Sequence, residues 1–104
     1  MIKIATIQRY VQEGRILQVE ALLNQGLIPA PADFLAPALR SSIPDEVAVA
    51  MAALLIEKGG ISKEIQNSVL KTVLRSRGDL EGRVDRLRER LRTTPSPESS
   101  QHSP

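Results

Sequence analysis

Leu74-Arg75-Ser76-Arg77-Gly78-Asp79-Leu80 is the stretch on which the fold turns. Upstream, Ile65, Val69, Leu70, Val73 and Leu74 recur at helical spacing, and downstream Leu80, Val84, Leu87 and Leu91 do the same. If Gly78 sits inside one helix, at a cost of about 1 kcal/mol relative to alanine, residues 70, 73, 77, 80, 84, 87 and 91 fall alternately three and four apart. That is a heptad seam, marred by Arg77, through which the chain could pair with a copy of itself. If Gly78 separates two helices, the chain contains three helical hairpins. The same leucines then form the buried face of an amphipathic terminal helix, which is the simpler expectation.

Working outward, Ala21-Leu22-Leu23 and Ala53-Leu54-Leu55 stand 32 residues apart, and Leu87 continues the register. Gly14-x-Ile16 and Gly78-x-Leu80 are separated by twice that interval. A period of this length points to stacked helix-turn-helix units. Residues 2–13, with Ile4, Ile7 and Val11, predict a first helix that Gly14 ends. Ile16, Val19, Leu22 and Leu23 line a second, closed by Asn24-Gln25-Gly26. Leu27-Ile28-Pro29-Ala30-Pro31 reads as an ordered connector, its prolines favouring extended backbone. Asp33 is placed to cap a short helix through Leu39, with Pro37 in its first turn.

Ser41-Ser42-Ile43-Pro44-Asp45-Glu46 is a helix start, with Ser42 as cap and two carboxylates at the positive end of the dipole. Residues 47–56 then carry no charge. A helix apolar on nearly every side belongs in the middle of a stack, so Leu54 and Leu55 are both expected in the core. Glu57-Lys58-Gly59-Gly60 returns the chain to solvent, and Ser62 caps the next helix.

The run Glu13-Gly14-Arg15-Ile16-Leu17-Gln18-Val19-Glu20-Ala21-Leu22-Leu23-Asn24-Gln25-Gly26 resembles the second helix and glycine terminator of an ankyrin repeat. Residues 46–59 match more loosely, and Arg77-Gly78-Asp79-Leu80 through Leu87 more loosely still. The resemblance is carried mainly by residues 7–60 and implies an ankyrin-like array of stacked hairpins presenting a protein-binding surface. No Thr-Pro-Leu-His stretch opens any first helix; Asp33-Phe34-Leu35-Ala36 stands in that place.

Composition agrees with helices. One Phe, one Tyr and no Trp leave a core of aliphatic side chains, better suited to close-packed helices than to a sandwich. The absence of cysteine excludes disulfides and thiolate chemistry. No apolar run approaches the roughly 20 residues of a membrane span, and the N-terminus lacks the pattern of a signal peptide. A cytoplasmic location is the expectation. Residues 1–92 read as one all-α domain of about six short helices, and residues 93–104 as a disordered proline- and serine-rich tail.

The net charge of +2 conceals an asymmetry: residues 1–62 carry five Lys/Arg against six Asp/Glu, and residues 63–92 carry nine against five. The arginines at 75, 77, 83, 86, 88, 90 and 92 could follow phosphates, but four acids are interleaved from Asp79 to Glu89 and no aromatic lies among them for base stacking. Catalysis has little support, because the single histidine, His102, lies in the tail and no nucleophile has a placed base. No cofactor or metal is expected. The sequence therefore predicts a non-catalytic protein–protein interaction module, with Leu80, Leu87, Arg83, Arg86 and Arg90 as candidate contacts. The alternative is a small regulator that binds nucleic acid through these arginines, as a coiled-coil homodimer of the C-terminal helix.

Overall fold

The computed structural model describes residues 2–93, Thr93 by its backbone alone. Of the tail expected over residues 93–104, Thr93 is instead the last residue of a helix, and the rest, His102 included, lies outside the described residues. Six α-helices and no strand make up the described part: α1 (Ile4–Gln12), α2 (Ile16–Asn24), α3 (Leu35–Arg40), α4 (Asp45–Gly59), α5 (Lys63–Ser76) and α6 (Glu81–Thr93). Single 3-10 turns, Pro31–Phe34 and Gly78–Leu80, lead into α3 and α6. The helices pair as hairpins, α1 with α2, α3 with α4, and α5 with α6. The hairpins stack so that α1, α3 and α5 follow one another in one layer and α2, α4 and α6 in the other. Leu23, Leu55 and Leu87 stand on α2, α4 and α6, successive members of the second layer.

The break falls one residue before Gly78. α5 stops at Ser76, and Arg77 takes φ −141° and ψ 79°, which carries the chain out of the helix. Arg77 then spans the break, its Nε and Nη2 donating to Asp79 Oδ1 and Oδ2 at 2.9 and 2.8 Å. The continuous heptad seam is therefore not formed. Leu70, Val73, Leu80, Val84 and Leu87 are buried in one core cluster with Leu35, Leu39 and Ala52 of the same chain. A coiled-coil homodimer along this seam has no free seam to use, because intramolecular packing has consumed it.

α4 is the hub expected of an uncharged helix. Val49, Ala52, Ala53 and Ile56 belong to the core shared with α3, α5 and α6, while Met51 and Leu55 join Ile7, Val11, Val19, Ile28 and Phe34 in the other. Asp45 and Glu46 occupy its first turn, where negative charge meets the positive helix end. Ser42 does not cap it; Pro44 holds that position and no side chain accepts there. Asp33 likewise lies within the 3-10 turn and caps nothing. Ser62 does cap α5, accepting from the Ile65 N–H at 3.3 Å. Gly14, between α1 and α2, has φ +74°, and a Cβ there would stand 2.8 Å from Val47 Cγ1. Only glycine lets the first hairpin's turn sit against the start of α4.

Candidate functional site

With about 3.6 residues per turn, the side chains of α6 divide four ways. Leu80, Val84 and Leu87 face inward and are buried. Arg83, Arg86 and Arg90 flank this stripe on the α4 side, Arg88 and Arg92 flank it on the α5 side, and Asp85 and Glu89 lie farthest out. The arginines that read as one basic face in sequence therefore serve three different places.

Arg83 is committed within the fold. Its side chain is only 11 % exposed. Nη1 donates to the carbonyls of Leu39 and Ser41, both at 2.8 Å, and Nη2 donates to that of Ile43 at 2.6 Å. Nε donates to Asp45 Oδ1 at 2.7 Å. One guanidinium thus satisfies the carbonyls left open where α3 ends and bends into α4. Ser42 lies within that bend, two residues before the cap position that Pro44 holds. Arg86 is largely exposed, with Nη1 3.9 Å from Asp45 Oδ2, and Arg90 is exposed near the C-terminal end of the helix.

Between α2 and α6 the outward stripe of α4 reads Glu46, Val49, Ala50, Ala53, Leu54 and Glu57. Its middle residues are small, so α4 is recessed and its neighbours stand proud. The result is a groove made of two hollows of about 480 and 350 Å³ that share Arg90. Val49, Ala50, Ala53 and Leu54 form its floor; Ile16 and Glu20 form the α2 rim; Arg86, Glu89 and Arg90 form the α6 rim. Lys58 closes one end, 4.0 Å from Glu20. Leu54 is therefore half-buried in a groove rather than sealed in the core like Leu55. The uncharged run was visible in sequence. The signal that it hides a floor is the placement of Ala50 and Ala53 on the stripe that Glu46 and Glu57 bracket.

Leu80 and Leu87 lie beneath this groove and hold α6 in place as its rim; neither reaches the surface. A more polar cleft of about 480 Å³ lies on the opposite layer, lined by Gln8, Gln12, Pro37, Arg40, Ser41 and Ser42. Shifted titrating groups are surface pairs outside the groove. A hydrogen bond from Arg15 to Glu13, 2.6 Å long, raises that guanidinium above its ordinary value, and the bond between Arg77 and Asp79 raises one partner and lowers the other. Among the described residues no group of three or more His, Cys, Asp or Glu is placed to hold a metal ion. No helix among them is long and apolar enough to cross a membrane. No protein-family model, curated protein or solved structure matches this chain.

Proposed function

We propose that this chain is a non-catalytic binding module, an ankyrin-like array in plan, that holds an amphipathic helix of another protein in the α4 groove. The observation that carries the reading is the groove between two charged rims, on whose floor Ala50 and Leu54 are partly exposed above the buried Val49 and Ala53. The α4 lining runs from Glu46 to Lys58, so at about 1.5 Å per residue the groove is about 18 Å long, some three turns of a partner helix, with its apolar part over the middle turn or so. The small Ala50 lets a partner backbone approach closely, Leu54 supplies apolar contact, and rim charges of both signs fix register and direction. Arg86 and Arg90 act as rim contacts. Arg83, Leu80 and Leu87 act from beneath by keeping the rim in position.

The competing reading is nucleic-acid binding through α6. Arg83 is already bound to four acceptors, which leaves Arg86 and Arg90 on that flank with Glu89 between them. The two readings are separated by recovering the tagged protein with its bound material, before and after nuclease, for the parent chain and two variants. Ala50→Arg fills the groove, and Thr72→Arg places the same charge on the exposed face of α5. The expected result is a protein that survives nuclease, is lost with Ala50→Arg and is kept with Thr72→Arg. Material that nuclease removes, or that Ala50→Arg leaves in place, would overturn the proposal.

A further inference from the structure

We propose that the cleft on the other flank of α6 is a second, separate site that binds an acidic peptide segment bearing an apolar side chain. The cleft holds about 430 Å³ between the start of α5 and the end of α6. Its floor is Ile56, Ile61 and Leu91, and its polar lining is Lys63, Arg88, Arg92 and Gln66. Among the described residues no carboxylate lines it, in contrast to the α4 groove, where Glu46, Glu89, Glu20 and Glu57 all take part.

Two of its three cations are uncommitted. Arg92 lies 3.2 Å from Glu89, whereas Lys63 and Arg88 make no ion pair among the described residues. Arg88 is also half-buried as a residue and lines the cleft. In a partly desolvated site an opposite charge gains more than it does in open water. The ligand chemistry follows from both parts: carboxylates for Lys63 and Arg88, and an aliphatic side chain for the floor. A nucleic-acid strand fits less well, because the floor has no aromatic ring on which a base could stack and the cations surround an apolar patch rather than forming a track.

The probe is a short end-blocked peptide of alternating Glu and Leu, labelled with a fluorophore and titrated with the full chain at low salt. Saturable binding is expected. It should weaken at least about tenfold in the double variant Lys63→Glu, Arg88→Gln, and at least as much when serine replaces leucine in the peptide. Lys63→Glu places an acid in the first turn of α5, which favours the helix, so circular dichroism and melting should show that variant folded. Arg86→Gln with Arg90→Gln, on the opposite flank, should change the affinity less than about twofold. Equal binding of the serine peptide, tighter binding of an oligothymidylate of equal charge, or equal loss in the Arg86/Arg90 variant would each overturn the assignment. None of these outcomes depends on a partner occupying the α4 groove.

Discussion

Arg83 Nε donates to Asp45 Oδ1 at 2.7 Å across 38 residues of sequence, and the rest of the same guanidinium is spread over the Leu39, Ser41 and Ile43 carbonyls. The last helix is thereby fastened to the junction of the second hairpin. The two partners differ in worth. Asp45 is 56 % exposed, so water can replace what it supplies, whereas the carbonyls are partly buried and would be left open.

Arg83→Ala should therefore destabilise by about 2 to 4 kcal/mol, the range for stranding several acceptors of a charged donor. Asp45→Asn should cost about 1 kcal/mol or less. Arg83→Lys should recover only a minor part, because a single ammonium cannot reproduce the planar fork that reaches four acceptors. Urea unfolding of the three variants measures this. Similar small losses in all three would mean that the fork is an exposed pair of little consequence.

The core makes a sharper distinction than the run of apolar letters does. Leu55 is fully buried and Leu54 is half-buried in the groove. Leu55→Ala should cost about 2 to 5 kcal/mol, and Leu54→Ala markedly less. Arg40→Ala, which removes the 2.7 Å bond from Nη2 to Ser76 Oγ on the surface, should cost about 1 kcal/mol. Thermal melts give the order; a Leu54 loss equal to that of Leu55 would mean that the groove closes over Leu54 in solution.

The helical array was legible because apolar residues at helical spacing alternate with glycine and proline breaks. The helix break was legible as a choice at Gly78 but not as a decision, since Arg77 makes the turn and Asp79 secures it. Arg83 could not be read at all. Three of its four partners are backbone carbonyls 40 to 44 positions away, which leave no mark on residue identity, so it was indistinguishable from Arg86 and Arg90. The groove was hidden for a similar reason: alanine serves equally well as core filler and as the floor of a depression. Leu80 and Leu87 carried a clear apolar signal, but periodicity alone cannot say whether such a stripe faces its own chain or another.

Asp79 gives a prediction about pH. The hydrogen bond from Arg77 holds its carboxyl below the ordinary value of 3.8, so the folded chain binds that proton less readily than the unfolded chain. The pair's contribution is then present above the ordinary aspartate range and is lost as pH falls through the lower folded value. Both side chains are solvent-exposed, so the effect is read from the group itself rather than from overall stability. A carboxyl-carbon NMR titration should place the Asp79 inflection below the ordinary value of 3.8, and Arg77→Gln should move it up toward that value. An inflection that Arg77→Gln leaves in place would mean that the bidentate pair does not persist in solution.

Two glycines inside helices should answer the same substitution with opposite signs. Gly82 lies in α6 with nothing within 4 Å of a Cβ built on it, so Gly82→Ala should stabilise by about 0.5 to 1 kcal/mol through helix propensity and a less flexible unfolded chain. Gly59 lies in the last turn of α4, where a Cβ would stand 2.6 Å from Pro31 Cβ and 2.9 Å from Pro31 Cγ. The proline ring cannot swing aside as a flexible side chain would. Gly59→Ala must therefore push the connector off α4 and should destabilise by about 1 to 3 kcal/mol, the usual cost of overpacking. Pro31→Ala should not rescue it, because alanine keeps the nearer of the two colliding atoms, whereas Pro31→Gly removes both. Melting curves of Gly82→Ala, Gly59→Ala and the two double variants test the close seating of the connector on α4. Stabilisation by both alanines would show that Pro31 does not pack there.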